Sequence, residues 1–271
     1  MKPSRTGAGA ELGAGLTTAT ARTILGVDTD PRGLAPQMAQ RIARAIHLGL
    51  IPDGGRLPPE AQLSEQLGVA TATLREALAI LRAGGLVVTR RGRAGGTFAR
   101  APRDDGHDTL LRRLAGVTIL DLRELGDHRR AISGTSAALA AERALPADMS
   151  QLRRQLERLA SAPTAGDYHR CETLFSIELT LAAQSPRLTR EELRLRAEVG
   201  DLCWARTTDA EREAATASRH GLVGTIGRGD RDGARAIAEA QVAEETHRLL
   251  ELRLELYGTA PEAKATIGVA G

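Results

Sequence analysis

Lysine and aromatic residues are nearly missing from this chain. Of its 37 lysine and arginine side chains only Lys2 and Lys264 are lysine, and aromatics make up 2% of 271 residues. With hydrophobic residues at 42%, any core must be built from Leu, Ala, Val and Ile, which favours helices over sheets. The two cysteines, Cys171 and Cys203, are too few for a disulfide framework and sit in no metal-type spacing. Free thiols in a reducing cytoplasm are the expectation. No apolar run approaches the ~20 residues of a membrane span, and no charged segment followed by an apolar one opens the chain. Neither membrane insertion nor secretion is expected, and cytoplasmic localisation is. A Gly-rich phosphate loop, HExxH, GxSxG and a paired Cys/His set are all missing, and the carboxylates fall on solvated helix faces. An enzyme is therefore not expected.

What is present is uneven. The length suits two domains. Residues 37–101 carry nine arginines against four acids, a balance of +5, whereas residues 104–271 carry 23 basic against 27 acidic side chains, a balance of −4. A basic module joined to a mildly acidic one fits a nucleic-acid reader followed by a sensing or assembly domain.

The basic module is organised around residues 60–98. Residues 36–50 place Met38, Ile42, Ala45 and Ile46 on one helical stripe, with Pro36 inside its start and Gly49 near its end. A second helix is expected over 59–67, with Leu63 and Leu67 inward. Gly68 supplies the permissive turn and Val69 plugs it. A third helix is expected over 71–83, its core face being Leu74, Leu78 and Leu81. Thr71 and Arg75 fall off that face, on the exposed first turns that meet base edges in a helix-turn-helix. Gly84-Gly85 ends it. Strands are expected at 86–89 and 96–99 around an Arg/Gly-rich tip, with Leu57 as a one-residue strand against them. From Leu86 to Arg103 there are five arginines and no acid. Glycine lets such a ribbon lie close to a backbone while arginine neutralises phosphate or enters the minor groove. Helix, turn, helix and basic hairpin make a winged helix-turn-helix, a DNA reader. The plainer alternatives are a solvated basic hairpin and an Arg75 paired with a nearby glutamate.

The rest has helical texture. Helices are expected over 119–144, 146–159, 167–183, 187–206, 209–228 and 231–257, an all-α bundle. The domain reading is a tail at 1–33, the reader at 34–101, a linker with a short helical end at 102–117, a helical domain at 118–257 and a tail at 258–271. The fold class is mostly α: an N-terminal winged helix-turn-helix domain followed by an all-α helical bundle.

Leu57-Pro58, Glu60, Leu63, Leu67-Gly68-Val69, Thr73 to Leu78, Leu81, Gly85-Leu86-Val87, Arg91-Gly92-Arg93 and Gly96-Thr97-Phe98 together resemble the DNA-binding domain of GntR-family transcriptional regulators. Asp121-Leu122, Arg129-Arg130, Leu139 to Ala144, Phe175, Ser185 to Leu188, Ile226 and Gly229-Asp230 resemble the FCD effector domain of the FadR-like subfamily. The resemblance implies a ligand-responsive, sequence-specific regulator, a repressor, acting as a homodimer on a short palindromic double-stranded operator. The alternative is an architectural or weakly specific DNA binder without an effector.

Departures from the family pattern redirect the site assignment. The family's Ser-Arg at the start of the recognition helix is Ala70-Thr71 here, and a further family arginine aligns with Ala61. The DNA contacts therefore fall to Arg75 for bases, to Thr71 and Thr73 for phosphate or base hydrogen bonds, and to Arg90, Arg91, Arg93 and Gly95 of the wing. Many relatives hold a divalent metal with an Asp and a His four residues apart plus two later His. Those positions map to Glu172, Ser176, Arg219 and Gln241. A guanidinium cannot ligate a metal, so no metal and no other cofactor is expected. His169, Glu172 and His220 are too scattered to argue for a replacement. Two readings of the vacated centre stay open. Arg219, with Arg129, holds the head group of an organic acid or acyl-type effector between walls that include Trp204, Phe175 and Tyr168. Or Arg219 pairs with Glu172 and fills the place itself.

Overall fold

A computed structural model describes residues 33–92, 95–100, 107–199, 202 and 207–259. The reader opens with α1 (Leu34–His47), which buries Met38, Ala39, Ile42, Ala45 and Ile46 along one stripe. It stops short of the expected residue 50 because Gly49 takes a left-handed φ of 71° and turns the chain. Next come α2 (Glu60–Leu67) and α3 (Thr71–Ala83). Gly68 between them, at φ 68°, caps α2 in the left-handed region. Leu74, Ala77, Leu78 and Leu81 form the buried face of α3.

The wing is the antiparallel pair β1 (Val87–Arg90) and β2 (Gly96–Ala99), with Val87 opposite Ala99 and Arg90 opposite Gly96. The first strand begins one residue later than its apolar run suggests. The Leu86 N–H is already given to the Leu81 carbonyl at the end of α3, at 2.9 Å, which leaves only its carbonyl to the hairpin through Arg100. The third strand segment is likewise shifted by one. Arg56 makes the bridge to Phe98, while buried Leu57 donates its N–H to the Thr97 carbonyl at 2.8 Å.

The helical domain comprises α4 (His107–Ala115), α5 (Ile119–Arg143), α6 (Pro146–Ala160), α7 (Ala165–Ala182), α8 (Pro186–Val199), α9 (Asp209–Gly227) and α10 (Arg231–Thr259). The stretch read as a linker is therefore partly structural: Leu114 of α4 is fully buried in the core of this domain. The helix expected over 187–206 is described only as far as Val199. Local chemistry sets the starts. Thr118 and Asp121 form a reciprocal capping box at α5, as do Thr208 and Glu211 at α9, and the Thr164 hydroxyl accepts from the Asp167 N–H at α7. Leu122, Leu152, Leu156, Phe175, Leu179, Leu222, Ile226, Ala234 and Ala238 meet in the core. Among the described residues no helix is long and apolar enough to cross a membrane.

Among the described elements, α5 and α10 share the most extensive contact. Gly126 allows it: a Cβ there would lie 2.5 Å from Thr246 Cγ2 and 3.1 Å from its Cβ. Gly126→Val is expected to lower stability by about 1–3 kcal/mol through overpacking. Gly221→Ala, on the exposed face of α9 with nothing within 4 Å of the added methyl, is expected to raise it by up to about 1 kcal/mol. Urea denaturation of both variants checks the pair, and a stable Gly126→Val protein would show that the two helices can separate at little cost.

Candidate DNA-reading surface and the centre of the helical domain

The candidate reading face comprises the first turns of α3 and the wing. Arg75 projects from α3 with its side chain 69% exposed, and its Nε donates to Glu60 Oε2 at 2.6 Å. This is the glutamate pairing that the sequence offers as the plainer alternative. It does not exclude contact with DNA, because an exposed pair of this kind contributes only about 0–1 kcal/mol. Thr71 and Thr73 are half-buried. The Thr71 hydroxyl lies 3.2 Å from Ser64 Oγ, across the turn between the two helices.

In the wing, the Arg90 guanidinium lies 4.9 Å from the Phe98 ring centroid, a stacking that aims it along the hairpin. Arg91 is exposed. Gly95 has no room for a side chain, since a Cβ would meet the Arg90 carbonyl oxygen at 2.5 Å. Arg93 lies outside the described residues. Two residues the sequence reading missed hold the wing in place. Arg56 Nη2 donates to the Gly95 carbonyl at 2.7 Å, and Arg82 Nε donates to Thr89 Oγ1 at 3.3 Å, tying the end of α3 to β1. Arg56 follows Gly54-Gly55 in a turn, and no periodicity marks it.

In the helical domain the positions mapped from the family's metal site do come together, around a cation of the chain's own. Arg219, 5% exposed on α9, donates through Nε and Nη2 to the two carboxylate oxygens of Glu172 on α7, both at 2.7 Å. Its Nη2 also reaches Glu245 Oε1 on α10 at 2.9 Å, and its Nη1 donates to Gln241 Oε1. Its guanidinium stands 5.5 Å from the Phe175 ring centroid. Arg129 on α5 gives Nη2 to the other oxygen of Glu245 at 2.6 Å. Ser176 joins by accepting from Arg196 of α8 at 2.5 Å, and that arginine is held to Glu192 at 2.9 Å. Three buried arginines thus face three buried glutamates. Glu245, Arg196 and Glu192 are additions to the residues marked from sequence. Only the four-residue steps from Gln241 to Glu245 and from Glu192 to Arg196 hint at them. Trp204 lies outside the described residues. Tyr168 is buried, donating its hydroxyl to the Arg212 carbonyl at 3.1 Å, and burial followed by the Glu172 charge pushes its phenol up to about 12.

The charges settle one another. Burial opposes ionisation of Glu245, but the guanidiniums of Arg129, Arg196 and Arg219 overcome it and hold the carboxyl below its ordinary range. Burial likewise opposes the charge on Arg219, and Glu172 and Glu245 overcome that. A divalent metal does not fit here. The ligand positions hold a guanidinium, an amide, a hydroxyl and one carboxylate, and the guanidinium occupies the carboxylate. Among the described residues no group of three His, Cys, Asp or Glu is placed to hold a metal ion. An acid bound directly by Arg219 would have to displace Glu172 or Glu245.

Arg219→Met leaves Glu172 buried without its partner and is expected to cost about 3–5 kcal/mol. Adding Glu172→Gln should recover part of this loss, and a single variant as stable as wild type in chemical denaturation would contradict it. Because the Glu245 carboxyl is depressed in the folded state, its contribution is full above the ordinary value of 4.5 and is lost as pH falls below it. The stability gap between wild type and Arg219→Met should therefore narrow on acidification.

The chain has clear relatives. Residues 34–98 match "Bacterial regulatory proteins, gntR family" and residues 124–244 match "FCD domain". It is 38% identical over 225 residues to a Mycobacterium gastri protein named as an HTH-type transcriptional regulator, RmpR, covering 82% of each chain. It is 34% identical over 131 residues to the Glc operon transcriptional activator of Escherichia coli K12, covering 48% of this chain and 51% of that one. Among solved structures, E. coli McbR/YncC is similar with a TM-score of 0.47 at 21% identity, over 83% of this chain and 98% of the other. The matched relatives are regulators rather than enzymes. This chain belongs to the GntR family of bacterial transcriptional regulators, with a winged helix-turn-helix reader followed by an FCD effector domain.

Proposed function

We propose that this protein is a ligand-responsive repressor that acts in the cytoplasm as a homodimer on a short palindromic operator. The observation that carries this reading is the basic wing and the exposed Arg75 on one reader, joined to an FCD domain. One small module of this size gives limited affinity, and a two-fold protein reading a two-fold site doubles the contacts. Repression needs no more than occupancy of a site that overlaps a promoter. Ligand binding shifts the relation between the two readers, a change of population rather than a chemical step.

Base discrimination rests on Arg75, whose release from Glu60 costs little. Arg90, Arg91 and Arg93 supply phosphate or minor-groove contacts, and Gly95 lets the wing tip approach the backbone. Thr73 offers a hydrogen bond at the edge. Thr71 adds less, because its hydroxyl is turned toward Ser64. Within the helical domain Arg129, Glu172, Ser176, Arg219 and Gln241 form the wall of any central effector site, where an organic acid would compete with Glu172 and Glu245 for guanidinium.

Two measurements test this. A gel-shift competition between the protein's own promoter fragment and random DNA, at stated salt, should give a specificity ratio of at least about 10³; a ratio near one would leave only an architectural binder. In the same assay Arg91→Gln with Arg93→Gln should reduce the salt slope by roughly 2 per protomer, about 4 for the dimer, and weaken binding more than Thr71→Ala does. An equal or larger loss from Thr71→Ala would mean that the recognition-helix start, not the wing, makes the contacts.

A further inference from the structure

A cavity of about 400 Å³ lies where the reader meets the helical domain, away from the Arg219 centre. The reader contributes the turn after α1, with Leu50; α6 contributes Gln155 and Arg158, and α7 contributes Leu174, Ile177 and Glu178. The two sides are in close contact at its rim, since a Cβ on Gly49 would lie 3.0 Å from Arg170 Cδ.

Asp167 and Arg170 at the rim pair with each other at 2.6 Å, and the Ser161 hydroxyl donates to the Glu157 carbonyl, but three other polar side chains of the cavity are less fully used. Gln155 is 4% exposed, and its Oε1 is buried without a hydrogen-bond partner. Glu178 and Arg158 line the same space on facing helices, yet among the described residues neither side chain has an ion pair or a hydrogen bond. Burial, and then Asp148, push the Glu178 carboxyl up to about 7 against the pull of Arg154 and Arg158. Elsewhere in this domain the buried charges are paired, as in the centre, because leaving them otherwise is costly. Here the exposed Arg158 at the mouth, the half-buried Glu178 carboxyl and the buried Gln155 acceptor share a cavity with aliphatic walls.

We propose that this cavity binds an aliphatic α-amino acid as its zwitterion. The ligand carboxylate is held by Arg158, the ammonium by Glu178 and Gln155 Oε1, and the side chain packs on Leu50, Leu174 and Ile177. The site is distinct from the central one. Because Leu50 belongs to the reader and the other groups to the helical domain, an occupant couples the orientation of the two. This inference rests on the reading that the chain is a ligand-responsive regulator.

The test is isothermal titration of the full chain with leucine, isoleucine and valine, with leucinamide, and with 4-methylpentanoate, the acid that lacks the amine. The amino acids should bind, and both truncated analogues should bind about 10- to 100-fold more weakly, each having lost one charge-assisted contact. Arg158→Gln, at an exposed position that the fold does not need, should weaken leucine by a similar factor while leaving the ligand-free melting temperature unchanged; Glu178→Gln should do the same to the ammonium contact. The proposal is overturned if no amino acid binds wild type at millimolar concentration, if 4-methylpentanoate binds as tightly as leucine, or if Arg158→Gln binds leucine normally. Operator binding is measured on the same samples. Specific DNA binding without an amino-acid response sinks this inference alone, whereas loss of DNA specificity sinks the regulator reading.

Discussion

The helical domain is organised around one guanidinium. Arg219 on α9 binds Glu172 on α7 and Gln241 and Glu245 on α10, and through Glu245 it is joined to Arg129 on α5. Four helices thus converge on a single planar cation. The desolvation of these charges is expensive, and apolar packing of the same volume would stabilise the fold as well or better. What such a network contributes is register. A helix that slides or rotates by one step leaves a buried carboxylate without a donor, so alternative packings of the bundle are strongly disfavoured. In a core built from leucine and alanine, whose packing faces resemble one another, that discrimination matters. The arrangement is also the physical counterpart of a metal centre: a fixed positive charge surrounded by side chains from several helices, with the cation carried on the chain.

The same helix that delivers Glu172 to this centre also supports the reader. Along α7, Glu172 and Ser176 lie one turn apart and face inward, while Leu174, Ile177 and Leu181 lie on another face and pack against the reader's core with Leu193 of α8. The apolar core of the DNA-binding domain is therefore not closed on itself. Rotation of α7 about its axis cannot alter the centre without also moving the surface on which the reader rests. The interior of the bundle and the core of the reader thus share one helix, which also carries Glu178 of the cavity beneath Leu50.

The local parts of this design were legible in the sequence, and the partnerships were not. The boundaries of α3 follow from Gly68 before it, Gly84-Gly85 after it and leucines at spacings of four and three. The start of α5 follows from Thr118 and Asp121, whose capping chemistry is confined to four residues. The family resemblance brought Glu172, Ser176, Arg219 and Gln241 together as one site. It did not reveal that Glu245 would be the second carboxylate or that Arg196 would reach Ser176, because those contacts span separations of 26 and 20 residues and carry no periodic signal. The strand shift at Leu86 has a similar origin. Its apolar character fits a strand, but its N–H was already committed to the preceding helix.

The contrast between the two kinds of ion pair in this molecule bears on how it works. Arg219 and Glu172 are 6% and 0% exposed at their side chains; their exchange for another partner would require water or ligand to enter the core. Arg75 and Glu60 are 69% and 39% exposed, so solvent screens their attraction and a guanine edge or phosphate can replace the glutamate with little loss. Glu60 holds Arg75 against α2 and limits its rotamers. An anionic surface nearby would repel Glu60 and attract Arg75. The buried network is fixed and the surface pair is exchangeable, a division that follows from burial alone. At the centre arginine is not interchangeable with lysine, because Arg219 uses a planar fork to reach two carboxylates at once.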